Sequence, residues 1–268
     1  MTRKRVTQLF PWLLPLRRRQ RNFCFYTGMK LDGRTYAAQQ AEGELPFVQA
    51  ESTSPLYNEN TGFDMKYQEN KVFNLKLAAK KLDKLLIRPG ETFSFWHALH
   101  KDSKKDVYKD GLVVLNGQLT TVSGGGLCQM SNLLFDLFLR SPLIIAERTG
   151  HGKKEFPDPG EGPAGIDATV SEGWSDLKVE NQGNRVFQLR LSFDKETIYG
   201  CLKADSQPET YYEIFNRDME YYRAGGKIYQ SVGVWRRAKD QCGEERKLYE
   251  NRCEIGYSLS ESVEIKED

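Results

Sequence analysis

Histidine is scarce in this 268-residue chain, with only three, at positions 97, 100 and 151. The five cysteines, at 24, 128, 201, 242 and 253, are odd in number, widely scattered and without a CxxC pair. These absences argue against a zinc ribbon and a disulfide scaffold, and free thiols point to a reducing compartment. The formal net charge is only +2, so no global field points to nucleic acid and no nucleic-acid partner is expected. The apolar run Leu9–Leu16 is eight residues long and broken by Pro11 and Pro15. It is too short to span a bilayer, and no small-residue cleavage site follows it. The expected location is therefore cytoplasmic, at most at the inner membrane surface.

What is present has the balance of a soluble globular protein, 39% hydrophobic and 28% charged, with length for one large or two modest domains. The reading divides the chain into a basic arm and irregular N-terminal segment (1–62), a core (63–205) and a β-rich C-terminal extension (206–268) that also fits as part of the same domain. Arg3, Lys4, Arg5, Arg17, Arg18, Arg19 and Arg21 flank the apolar run. The favoured reading is an arm packed on the domain with solvated basic residues; the alternative is weak peripheral contact with an anionic membrane. From Phe23 to Gly62 recurrent Gly, Pro, Asn and Ser predict loops, with a short strand at 47–50.

Asn70 reads as the cap of an amphipathic helix over about 71–86, with Leu75, Ala78, Leu82 and Leu85 on one stripe and its lysines on a solvated face. Arg88-Pro-Gly-Glu91 fits a type II turn, and Thr92–Trp96 alternates like a strand. His97 and His100 follow on a short helix or loop, read as surface or capping residues before active-site ones. Leu112–Thr120 predicts a hairpin turning at Asn116–Gly117. Leu143–Arg148 and Gly165–Val170 read as strands, with prolines 157, 159 and 163 in an irregular loop between them. Strands at about 176–181, 186–193 and 197–204 form an antiparallel meander, and short strands fall around 211–216, 227–235 and 247–255. The fold class is α+β, a mainly antiparallel sheet with two principal amphipathic helices.

The stretch Ser123–Arg140 organises the rest. Gly124, Gly125 and Gly126 run into Leu127 and Cys128, and apolar residues then recur at helical steps until Pro142. Cys128 thus sits in the first turn, where unpaired N–H groups and a partial positive charge favour a thiolate. The backbone from Gly126 to Cys128 could donate to an oxyanion. The bland reading is a buried structural cysteine beside a tight turn. His151 and Asp167 lie on later loop or strand ends and complete a nucleophile, base and orienter set. This order, with the cysteine on a helix and the others following on a sheet, has the layout of papain-like and transglutaminase-like enzymes without papain's motif. Gln129 and Asn132 are candidates for binding a substrate amide, or only for solvating the helix end; the three glycines complete the candidate substrate cradle. Cys128, His151 and Asp167 offer one S, one N and one O without ligand spacing, so no metal is expected, and no cofactor.

The runs Arg88-Pro-Gly-Glu-Thr-Phe-Ser-Phe95, Gly124-Gly-Gly-Leu-Cys-Gln-Met-Ser-Asn132 and Gly165-Ile-Asp-Ala-Thr-Val170 strongly resemble the VanW family, and Ala78–Leu82 and Arg252–Tyr257 fit it too. The resemblance covers nearly the whole chain. It implies an accessory role in glycopeptide (vancomycin) resistance, without an established activity. Larger members resemble exported wall-associated proteins with G5-type domains, and this chain shows neither an export signal nor such domains. Two function classes follow. One is a cysteine-dependent hydrolase or acyl transferase on cell-wall precursor peptides, with Cys128 as nucleophile, His151 as base and Asp167 as orienter. The other is a noncatalytic binding or scaffold protein of the resistance machinery, partnered by a precursor or by resistance-cluster proteins.

Overall fold

A computed structural model describes residues 10–58, 64–100, 107–115, 118–155, 157, 162–239, 245–260 and 262–267. Arg3, Lys4, Arg5, the Asn116–Gly117 turn, Pro159 and Cys242 lie outside them. Elements are numbered in chain order. The helices are α1 (Leu14–Leu31), entered through a 3-10 turn at Pro11–Leu13, α2 (Met65–Leu82), α3 (Phe95–His100) and α4 (Leu127–Leu139).

Helix α4 is the centre of the core. Leu127, Met130, Leu133, Leu134, Phe135, Leu137, Phe138 and Leu139 are all buried, so the helix is enclosed on nearly every side. Fully burying a Leu, Met or Phe contributes about 1.5–3 kcal/mol, so this short helix is held by packing rather than by propensity. It lies against a sheet ordered β2 (Phe47–Pro55), β11 (Thr197–Ala204), β10 (Phe187–Phe193) and β3 (Leu86–Ile87). Gly200 on β11 makes that approach possible, because a Cβ there would come within 3.0 Å of Leu137 and 3.2 Å of Leu133. A second sheet runs β1 (Thr35–Tyr36), β4 (Glu91–Ser94), β9 (Lys178–Glu180) and β7 (Ile144–Glu147), and its Phe93 ring meets Phe138 at 5.1 Å.

A third sheet is ordered β15 (Ile265–Glu267), β12 (Tyr212–Ala224), β13 (Lys227–Ala238), β14 (Arg246–Ile255) and β8 (Lys153–Lys154). Strands β5 (Asp110–Leu115) and β6 (Gln118–Ser123) form the hairpin that delivers the chain to the glycines. Most pairings are antiparallel, in keeping with the α+β expectation; β1–β4, β12–β15 and β8–β14 are parallel.

Several local expectations hold and several need correction. Glu91 N donates to Arg88 O at 2.9 Å, and Gly90 has φ +79, as a type II turn requires. Helix α2 begins and ends earlier than its apolar stripe predicts. Asp64 is its cap, accepting from Lys66 N at 2.9 Å, while Asn70 lies inside and donates to Asp110 O. Asp83 ends it by turning extended and accepting from Leu191 N and Arg190. The region from Phe23 is helical as far as Leu31 rather than loop. Only Met29 of α1 is buried, so no apolar stripe marked the helix in the sequence.

Strand β2 is longer than 47–50 because it pairs along nearly all of β11. The three-strand meander divides. Buried Asn181 donates to Ile87 O and Arg185 O, and β9 pairs with β4 and β7 instead of β10. The Gly165–Val170 segment joins no ladder. Its backbone bonds go to loops and side chains, which places it at the cysteine.

Candidate active site

Cys128 is the second residue of α4, after the glycine turn. Gly126 caps the helix with φ +98 and Gly124 has φ +81, conformations that L side chains rarely adopt. Gly125 is glycine for a different reason: a Cβ would lie 2.1 Å from Gly111 O. The turn is clamped by Asn74 of α2, which is fully buried. Its Nδ2 donates to Gly125 O at 3.0 Å and to Lys109 O at 2.9 Å, and its Oδ1 accepts from Lys109 N at 2.9 Å. Gly124 N and Gly125 N are spent on Lys109 O and Val122 O. The N–H groups of Gly126, Leu127 and Cys128 belong to the cap and first turn, which have no intrahelical partners.

The structure brings Cys128, His151 and Asp167 together. His151 Nδ1 lies 2.6 Å from Asp167 Oδ1, and His151 N donates to Asp167 Oδ2 at 2.5 Å. One carboxylate thus holds both the ring and its backbone. With Nδ1 engaged, Nε2 is the ring atom left for the thiol, and thiol and imidazole lie near enough for each to shift the other's titration. Cys128 Sγ also lies 3.4 Å from Thr169 Oγ1 and 3.7 Å from Val170 O. The thiol is partly buried, and the His151 and Asp167 side chains are 33% and 18% exposed, so solvent reaches the edge of the site.

The three groups shift one another. Burial opposes the thiolate, but the hydrogen bond and charge of His151, with bonding from Thr169, hold the Cys128 thiol below its ordinary range. Burial alone would depress His151; its bonds to Asp167 and Cys128 outweigh this and raise it well above the usual imidazole value. Burial would likewise raise Asp167, yet the His151 hydrogen bond, its charge and Arg148 keep this carboxylate ionised. The arrangement favours a thiolate–imidazolium pair, the activated form of a cysteine nucleophile.

Segment 167–170 is fastened to α4. Ala168 N donates to Asn132 Oδ1 at 2.7 Å, and Ser131 Oγ donates to Ala168 O at 2.5 Å. Gln129 Nε2 donates to Ser54 Oγ and Pro55 O. The side-chain contacts of Asn132 and Gln129 are therefore internal, tying the cysteine helix to its neighbours. Arg148, unremarked in the sequence, donates from Nε to Asp167 O at 2.6 Å, bonds Asn251 of β14, and sits over the Tyr249 ring at 4.4 Å. Tyr249 Oη donates to Gly165 O, so the C-terminal sheet supports the histidine–aspartate segment.

Lys71 was also missed. Rather than joining a solvated face, its stem covers Gly126, burial lowers its pKa to about 8, and it has no ion pair among the described residues. Asn74, Arg148 and Lys71 act through distant backbone groups that no local motif announces. His97 and His100 stack on Tyr36 and Tyr26 and line a separate cavity of about 420 Å³ with Ala38, Lys80 and Leu85. No group of metal-ligating residues occurs among the described residues.

Fold and site define a mixed α+β protein carrying a Cys–His–Asp constellation at a helix N-terminus. The family model described as VanW like protein matches residues 70–202, a span that contains the glycine turn, Cys128, His151 and Asp167. Across its full length the chain is 53% identical, over 272 aligned residues and 99% of the relative, to the vancomycin B-type resistance protein VanW of Enterococcus faecalis. The chain belongs to the VanW family. It is also 32% identical over 149 residues, 54% of this chain and 48% of the relative, to the uncharacterized protein YoaR of Bacillus subtilis. No solved structure matches the chain.

Proposed function

We propose that this protein serves vancomycin resistance as a cysteine-dependent hydrolase or acyl transferase acting on a peptide or ester of cell-wall precursors. The resistance context rests on the name of its full-length relative. The chemistry rests on one observation above the others, the thiol, imidazole and carboxylate brought together at the start of α4. The Cys128 thiolate attacks the acyl carbon, and the oxyanion is met by first-turn N–H groups. Collapse expels the amine or alcohol, which takes the proton from the His151 imidazolium. Neutral His151 then removes a proton from water or an acceptor nucleophile, which attacks the thioester and releases the thiolate; the imidazolium is restored. Asp167 holds the ring through Nδ1 throughout. The order cysteine, histidine, aspartate, with the cysteine on a helix, supports reading the site as papain- or transglutaminase-like in layout.

A second reading, a noncatalytic scaffold partnered by resistance-cluster proteins, draws on the internal commitments of Gln129, Asn132 and the first two glycine N–H groups. Gln129 Nε2 and those two backbone N–H groups are thereby taken as donors, and Asn132 Oδ1 as an acceptor. Site-resolved iodoacetamide labelling against pH separates the readings. Activated thiols titrate at about 3.5–7.5 against about 8.5 for a free one, so Cys128 should label faster than Cys24, Cys201 and Cys253 below neutrality. His151→Ala should move that titration upward, and Asp167→Asn should do so less. Labelling of Cys128 no faster than exposed Cys24, unchanged by His151→Ala, would sink the enzymatic reading.

A further inference from the structure

Helix α1 is docked at one end and bare at the other. Its second half is seated on the 172–178 segment. Tyr26 Oη donates to Glu172 Oε1 at 2.8 Å and stacks on His100 at 3.8 Å; Lys178 Nζ lies over the Phe25 ring, and Met29 is buried. Before Arg21 the helix has no such partners among the described residues. Trp12 is 73% exposed, Leu16 65% and Phe23 71%, and Phe10 and Leu14 are about half exposed. Trp12, Leu16 and Phe23 follow one another at steps of four and seven residues, which puts them on one face of a helical rod. Trp174, 74% exposed, adds a further ring beside the helix, under Arg21.

The charge on the same rod has one sign. Arg17, Arg18, Arg19, Arg21 and Lys30 are its ionisable cations, and no Asp or Glu occurs from Phe10 to Leu31. Exposed aromatic and aliphatic side chains flanked by arginines, with no acidic residue between them, match a surface that is apolar beneath a negative layer. Arginine stems can lie along such a surface while the guanidinium groups stay in the headgroup region. No helix of the described residues is long and apolar enough to cross a bilayer, so the contact is in the interface plane. We propose that α1 with the 3-10 turn before it is a membrane-docking element that lays Trp12, Leu16 and Phe23 into an anionic phospholipid surface, with the long side chains of Arg17, Arg18 and Arg19 fanning around the rod to reach the headgroups.

The test is co-sedimentation of the full chain with phosphatidylglycerol-containing vesicles and with pure phosphatidylcholine vesicles, at low and high salt. Binding should favour the anionic vesicles and weaken with salt. Arg17→Gln/Arg18→Gln/Arg19→Gln should lower partitioning at least tenfold, since each surface cation is worth roughly fivefold. Trp12→Ala/Leu16→Ala/Phe23→Ala should reduce it further and leave the thermal melt in place, because these side chains are mostly exposed. Equal binding to neutral vesicles, no binding to either, or binding unmoved by both variants would overturn the proposal. So would a dimer that the triple alanine variant dissolves without any vesicle binding, which would assign this face to a second copy.

Discussion

Replacing Asn74 by Leu tests whether the cysteine's geometry is held from outside its own helix. The side chain of Asn74 makes three hydrogen bonds, two of them to Lys109 and one to Gly125 O, and is itself fully buried. Leucine has the same branched heavy-atom skeleton, so the change chiefly removes the hydrogen bonds. The Gly125 carbonyl bond is buried, and leaving that acceptor unmatched costs about 1–3 kcal/mol. The two Lys109 bonds are partly solvated, each worth about 0.5–1.5 kcal/mol. The expected destabilisation is therefore about 2–6 kcal/mol by urea titration, with unchanged m-value. A second readout separates position from stability. At temperatures where the variant is still folded, Cys128 alkylation should slow toward that of Cys24, because the glycine turn sets where the first-turn N–H groups and Sγ point. A variant that loses less than about 1 kcal/mol, or that is destabilised yet keeps full Cys128 reactivity, would refute the clamp.

Two further substitutions probe the same turn. Gly125→Ala should cost more than about 3 kcal/mol, because its Cβ would meet backbone atoms of Gly111 that cannot step aside; Gly124→Ala, at φ +81 with only ordinary van der Waals neighbours, should cost only about 1–2 kcal/mol, and a urea titration ranks them. Lys71 carries its charge at a cost. Its folded pKa is about 8 against an ordinary 10.5, so the unfolded chain holds more protons between those values; stability should rise with pH through that window and bear the full penalty below it. Lys71→Met should therefore stabilise the protein at neutral pH by about 1–2 kcal/mol and flatten its melting temperature against pH between 8 and 10.5; an unchanged pH profile would count against a desolvated ammonium.

Much of the site was written in local sequence. The glycine run, the apolar steps after it and Pro142 locate α4 and put Cys128 in its first turn, because helix periodicity and positive-φ glycines are properties of neighbouring residues. The Arg88–Glu91 turn was legible for the same reason, and the C-terminal strands were placed but the first was read too short, ending at 216 instead of Ala224. Other features were decided only by tertiary packing. Helix α1 has no buried stripe, so its pattern could not mark it. Alternation located β9, β10 and β11 but could not say that β9 leaves for another sheet, since period-two patterning names a face and never a partner. The 165–170 segment looks like a strand, yet its hydrogen bonds go to Asn132, Ser131 and Thr149.

The sequence by itself determined which side chains could do thiol chemistry, and that the cysteine stands at a helix start. Tertiary structure decided that His151 and Asp167 meet it, that Asn132 Oδ1 and Gln129 Nε2 bond to neighbouring segments, and that Asn74, Arg148 and Lys71 pack around the glycine turn and the Asp167 segment. The physical reason is range. Helical periodicity and turn chemistry act within a few residues, whereas a hydrogen bond between Asn74 and Gly125, or Arg148 and Asn251, exists only after separate segments are packed side by side.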